Sequence, residues 1–373
     1  MLATDHTVAE FSLPQFDARV LVRRAAPAAL IGACAVAVVL LAGGRVHGFL
    51  DAIHRVLDVS PAWVVAGAAF EFLSLAGYVA LLALVAGRAT ARIGTRESAQ
   101  ITLAGAAATR LLPTAGAGGV ALALWALRRA GLPARAATRT LLVFMVVLYS
   151  VFLAAIVASG AALALGAVHA GGATDLAAVP ALAALLAIAL AVGLALRPGL
   201  RAEGSRLRAG TRLLGNAVRE ASALILQRDV RLLGAIGYWA FDAAVLWAML
   251  RAFGAAPALP IVALAYFVGQ LANTVPVPGS VSGGMTGALI ALGVPAELAL
   301  PAVLAYRAIA TWLPSPIGVA AIPALRSTVA RWGADNGPAR ASTERSRRGL
   351  LVARISQPPA RVASARPVAG ASR

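Results

Sequence analysis

The 373-residue chain contains no lysine: all 33 of its basic residues are arginine, set against only 15 acids. With Ala and Gly abundant, that bias reads as genome composition rather than mechanism. Charge of either sign is scarce, at 13% of residues, where soluble domains carry about 25%. A single cysteine, Cys34, excludes an internal disulfide. The four histidines, His6, His47, His54 and His169, are scattered, and no His/Cys set has metal-ligand spacing. No metal or cofactor is expected. What is present is apolar: 60% hydrophobic residues and a mean hydropathy of +0.82. A soluble protein of this size must cover its core with polar side chains, whereas lipid needs no such cover. The expected class is an all-α, polytopic membrane helical bundle.

A net charge of +18 raises nucleic acid as a partner. The arginines, however, lie between apolar spans and in the C-terminal tail rather than on a basic soluble domain. The positive-inside rule accounts for them, and no nucleic-acid partner is expected. Spans of about 20 apolar residues are expected near 25–44, 61–87, 139–167, 177–197, 231–251 and 296–325. The first reads as a retained signal anchor after a cytoplasmic segment 1–24. Arg-rich connections at 88–96, 128–139 and 197–231 fall on one side under this arrangement, as does the tail from 326. Of the basic segments, only the one with Arg45 and Arg55 falls on the other. The expected location is the cell membrane with both termini cytoplasmic. Residues 327–373 read as a basic, disordered cytoplasmic tail after a transmembrane domain, 25–326.

Two apolar stretches, 101–127 and 260–293, carry Gly and Pro where a spanning helix would be continuous. Proline removes a backbone donor and glycine favours non-helical backbone. Irregular backbone survives at membrane depth only inside protein or against a cavity. Both stretches are therefore expected to be re-entrant, broken-helix hairpins. Their turns would contain Pro113, Gly116, Gly118 and Gly119 in the first, and Pro276, Pro278, Gly279, Gly283 and Gly284 in the second. The two regions also resemble each other: each half-helix is followed by Gly-x-Pro (Gly131-Leu-Pro133, Gly293-Val-Pro295) and a long span. Each is preceded by a span with a mid-helix acid, Ala69-Phe-Glu71 or Ala240-Phe-Asp242. Running in from opposite sides, they would form an inverted repeat. Half-helices starting at mid-membrane present N–H groups and a positive dipole end, which suit a phosphate.

Asn273, Pro276, Pro278-Gly279, Gly293-Val-Pro295, Ala299, Leu304, Tyr306-Arg307 and Trp312-Leu-Pro314 together resemble the transmembrane region of the lysylphosphatidylglycerol synthase/flippase family. Trp239 with Asp242, Phe253-Gly254, and Thr109-Arg110-Leu-Leu-Pro113 with the following glycines are similar to further parts of it. The resemblance covers roughly residues 25–326. It departs at Ser280 and Ser282, which replace family glycines, and at Met285, where the family pattern has glutamate. A soluble aminoacyl-transferase domain is not seen in the tail, so the resemblance implies the lipid-translocating half and no enzyme activity.

Candidate substrate-binding residues follow. Glu71 and Asp242 are mid-span carboxylates, each costing about 2.5–3.5 kcal/mol to insert. Arg110 and Arg307 lie near the breaks, and the guanidinium fork suits phosphate. Asn273 borders the second turn. No catalytic constellation is present: no histidine neighbours these segments, and no nucleophile elbow occurs. The leading expectation is a translocase for a lipid with a phosphate-bearing headgroup, working through a midplane cavity between the hairpins. A small-solute or ion transporter, and a non-transporting subunit docking an envelope-biosynthesis enzyme, stand as alternatives.

Overall fold

The computed structural model describes residues 60–111, 117–168, 171–196, 206–274 and 279–355. The chain divides into two compact units, residues 1–326 and 327–373.

Helix α1, Pro61–Ala89, opens on a proline whose missing N–H falls among donors that have no helical partner anyway. The first broken stretch becomes α2, Thr95–Leu111, and α3, Ala117–Arg129. Next comes α4, Ala134–Ala164. A short 3-10 turn, Thr174–Ala177, leads into α5, Ala178–Leu196. Helix α6, Arg206–Leu226, precedes a second 3-10 turn, Val230–Leu232, and α7, Leu233–Ala252. The second broken stretch consists of α8, Leu259–Leu271, a 3-10 turn Ala272–Thr274, and α9, Ser280–Ala291. Helices α10, Ala296–Trp312, and α11, Pro314–Ile355, follow.

Five segments are long and apolar enough to cross a membrane: Pro61–Ala89, Ala134–Ala164, Thr174–Leu196, Val230–Ala252 and Ala296–Ala334. They correspond to five of the six expected spans; the sixth, 25–44, lies outside the described residues. Helices α8 and α9 have 13 and 12 residues. At 1.5 Å per residue neither exceeds about 20 Å, against a hydrocarbon core of about 30 Å. Each crosses part of a bilayer at most, as a half-helix does.

The repeat is visible in conformation as well as in sequence. At the end of α3, Gly131 has φ 101°; at the end of α9, Gly293 has φ 93°. The N–H of Leu132 donates to the carbonyl of Leu127, and that of Val294 donates to the carbonyl of Leu289. Both turns are the same C-terminal cap, which needs a left-handed residue and so selects glycine. Pro133 and Pro295 then occupy the N-cap positions of α4 and α10, with ψ 154° and 137°. Packing repeats too. Exchanging α1–α4 for α7–α10 turns the pairs α1·α2, α2·α3, α3·α4, α1·α4 and α4·α7 into α7·α8, α8·α9, α9·α10, α7·α10 and α10·α1, and all ten pairs are in contact.

The pair that maps onto itself, α1·α7, is the most intimate. A Cβ on Gly77 would lie 2.6 Å from the Gly234 carbonyl oxygen and 2.8 Å from the Tyr238 nitrogen. Only glycine lets these two backbones approach so closely. Ser74 Oγ donates across the same seam to the Tyr238 carbonyl at 2.9 Å.

The structure differs from expectation in two regions. The basic segment 197–231, expected as a connection between spans, contains a helix: residues 206–226 form α6. Its apolar stripe, Ala217, Val218, Ala221 and Leu224, is buried, and the helix packs on α4 and α5. Arg139 pairs with Glu220 at 2.6 Å, and Arg219 Nη1 donates to the Ala195 carbonyl at 2.8 Å. In the second unit, where disorder was expected from 327, helical backbone continues to Ile355.

Candidate functional site

The unit 1–326 holds a closed ring of four polar side chains. Asp242, on α7, is 7% exposed. Its Oδ2 accepts from the Tyr266 hydroxyl at 2.5 Å, and its Oδ1 accepts from the Tyr306 hydroxyl at 3.2 Å. Gln270 Nε2 donates to both phenolic oxygens, at 3.1 Å and 3.3 Å. Tyr266 and Gln270 are four residues apart on α8, and so lie one turn above each other on one face. Tyr306 comes from α10. The ring thus ties together α7, α8 and α10, three elements of the second repeat.

Burial makes this arrangement consequential. Tyr266 and Tyr306 are 0% and 1% exposed. Their rings stand nearly perpendicular, with centroids 6.1 Å apart. A carboxylate so placed needs hydrogen bonds to remain charged, and two hydroxyl donors to an anion are among the strong kind. An aromatic wall closes one side. Trp239 donates from its indole nitrogen to the Leu148 carbonyl at 2.8 Å and packs edge-on against Phe152, Tyr238 and Tyr266.

The expected residues fall into three groups. Asp242 is in the ring itself. Glu71, 2% exposed on α1, and half-buried Arg307 on α10 both lie within electrostatic range of the Tyr306 hydroxyl. The structure therefore draws Glu71, Asp242 and Arg307 into one neighbourhood. Asn273 is exposed on the 3-10 turn after α8. Arg110's side chain, Pro113, Gly116, Pro276 and Pro278 lie outside the described residues.

The hairpin glycines do separate jobs. Gly279 takes the left-handed conformation, φ 83°, at the N-cap of α9. Gly283 faces open space, whereas Gly284 lies against Gly269 and Ala272. Gly118 is half-buried on the first turn of α3. Gly119 packs on Gly105, and its N–H donates to Thr109 Oγ1 at 2.9 Å. The expectation of exposed amides at the start of α3 is thus corrected at Gly119: its donor is already satisfied by a side chain of α2.

Tyr266 and Gln270 were not among the expected site residues, and Tyr306 carried only the family resemblance. The signal available was a Tyr and a Gln spaced i, i+4 in an otherwise apolar half-helix that runs into a break. Met285, at the position where the family pattern has an acid, is fully buried against Gly269. Among the described residues no group of three or more His, Cys, Asp or Glu could hold a metal ion.

These features define a polytopic helical membrane protein with a repeated span–hairpin–span unit and a polar core. The profile of the family described as lysylphosphatidylglycerol synthase TM region matches residues 25–318. The chain belongs to that family. No curated protein matches it.

Proposed function

We propose that the chain is a lipid translocase of the cell membrane, with both termini cytoplasmic, that moves a lipid with a phosphate-bearing headgroup between leaflets. The observation that carries this reading is the Asp242–Tyr266–Tyr306–Gln270 ring, with Arg307 and Glu71 beside it. Ionisable side chains inside a membrane protein are costly and mark pathways for polar cargo. Here they sit where a broken hairpin meets two long helices, the setting in which secondary transporters place their sites. Arg307 supplies the donor fork for a headgroup phosphate. Asp242 and Glu71 supply acceptors for a headgroup amine or hydroxyl. The chemistry is binding and displacement, with no covalent step. The half containing α1–α4 would rock against that containing α7–α10 about the glycine seam of α1 and α7.

Reconstitution tests the proposal. Liposomes carrying a fluorescent phosphatidylglycerol in both leaflets are treated with a membrane-impermeant quencher. With protein present, the protected half of the signal should be lost faster than in empty liposomes, and faster than for an uncharged lipid. Asp242→Asn should slow it at least tenfold. Equal rates with and without protein, or equal rates for all lipids, would refute lipid translocation. Uptake of a small solute without lipid movement would assign the same site to a solute transporter instead.

A further inference from the structure

A second site lies at the arginine-rich end of the α1·α7 pair, on the opposite side of the first turns of α7 from Asp242 in the chain. Helix α1 ends with Arg88 in its last turn. Opposite it, the turn after α6 brings in Gln227, Arg228 and Asp229. Arg228 has φ 52°, the one non-glycine among the described residues with positive φ. Such a conformation is costly for a residue with a Cβ and persists where the surroundings enforce it. It holds Asp229 as the N-cap of Val230–Leu232, where the carboxylate accepts from the backbone N–H of Arg231.

Two guanidinium groups converge there. Arg231 donates from Nε to Asp229 Oδ1 at 3.2 Å and from Nη2 to Oδ2 at 2.9 Å. Arg88 Nη1 donates to Gln227 Oε1 at 2.5 Å, and its Nη2 stands 3.9 Å from Asp229 Oδ2. One carboxylate therefore serves two arginines, leaving a net positive charge and unused N–H donors on both forks. Both arginines line a cavity of about 290 Å³ between the end of α1 and the start of α2, together with Gly87, Gly94 and Thr95. Glu97, outside the lining, accepts from the Gly94 N–H at 3.0 Å.

We propose that this cavity binds a phosphate-type oxyanion through Arg88 and Arg231, with Asp229, which faces both forks, acting as a built-in competitor for the anion. The shared chemistry is a tetrahedral oxyanion meeting two guanidinium forks; a lipid headgroup or free phosphate could supply it. This inference stands independently of the translocation reading.

The full-length protein in phosphatidylcholine nanodiscs provides the test. Labelled inorganic phosphate is titrated by equilibrium dialysis, and retention of added phosphatidylglycerol over phosphatidylcholine is read by native mass spectrometry. Arg88→Gln with Arg231→Gln should weaken binding at least tenfold. Asp229→Asn should strengthen it severalfold, which a merely structural ion pair would not do. Arg139→Gln, which breaks the exposed Arg139–Glu220 pair between α4 and α6, should leave binding unchanged, which separates this site from a general loss of positive charge. Phosphatidylglycerol retained and displaced by phosphate assigns the site to a headgroup. Phosphate bound without any lipid preference assigns it to the free anion. Absence of binding by either probe, binding indifferent to the double substitution, or binding not strengthened by Asp229→Asn, overturns the proposal.

Discussion

Met285 on α9 fills the notch that Gly269 leaves on α8, and the fit extends to the backbone: a Cβ on Gly269 would lie 2.9 Å from the Met285 nitrogen and 3.0 Å from its Cα. The two arms of the second hairpin are locked by this contact. Gly269→Ala should therefore destabilise the protein by about 1–3 kcal/mol, the range for forced overpacking, and lower its thermal midpoint in detergent. Pairing it with Met285→Ala should restore only part of the loss. The side chain can be removed, but the backbone atoms stay where they are. Full rescue by the double substitution would place the constraint in the methionine side chain alone.

The tyrosine ring makes an ordered prediction. Tyr266 donates to Asp242 at 2.5 Å and Tyr306 at 3.2 Å. Hydrogen bonds to a charged group contribute about 1.5–3 kcal/mol each. Tyr266→Phe should cost more stability and more translocation than Tyr306→Phe. Asp242→Leu should cost more than either, because it leaves two buried hydroxyls and the glutamine that bridges them with altered partners. Thermal unfolding and quencher-protection rates of the three variants check the order. A larger loss for Tyr306→Phe would show that the oxygen it serves matters more than the length of the bond.

The α1·α7 seam predicts a folding defect of a different kind. Gly77→Ala sets a methyl 2.6 Å from the Gly234 carbonyl oxygen, with no side chain able to move aside. Replacing Gly283, whose surroundings are open, by Ala is the matched control. Gly77→Ala should reduce the yield of folded protein after detergent extraction, and Gly283→Ala should leave it near the wild-type level. Similar losses in both would mean that chain flexibility rather than seam packing is limiting.

How much of this was legible beforehand depends on the kind of signal. The spans at 61–89 and 134–164 announce themselves through mean hydropathies of 2.0 and 2.9, because lipid selects composition directly. The hairpins were legible through Pro and Gly, whose backbone effects are local. Gly131-Leu-Pro133 and Gly293-Val-Pro295 gave the repeat away, since each cap demands a left-handed glycine. Helix α6 was hidden. Its arginines dominate the composition, and because only one face, Ala217, Val218, Ala221 and Leu224, is apolar, a reading by continuous apolar length passes over an amphipathic helix. The tyrosine ring was hidden for another reason. Tyr266, Tyr306 and Gln270 lie on two helices 36 residues or more apart, and nothing in local sequence says that three polar tips will converge on Asp242. Thr109 capping Gly119 escaped notice because a threonine in an apolar helix ordinarily bonds its own backbone.

Asp229 gives the last prediction, one of acid sensitivity. Hydrogen bonds from Arg231, side chain first and backbone N–H second, hold its carboxyl below the ordinary value of 3.8, and the charges of Arg231 and Arg88 act in the same direction. A carboxyl depressed on folding binds its proton less readily in the folded chain than in the unfolded one. Its contribution is therefore complete above the unfolded value and is lost as the pH falls through the folded one. Between neutrality and pH 5 the thermal midpoint of the wild type and of Asp229→Asn should run in parallel. Below about pH 4, near the ordinary carboxylate value, the wild type should lose its margin over the variant and the two curves should converge. Added phosphate should narrow the gap between the curves above pH 5, because an oxyanion seated between Arg88 and Arg231 stabilises the folded state by mass action and does so more in the variant that lacks the competing carboxylate. Curves that converge without any response to phosphate would confirm the ion pair and remove the anion from the cavity.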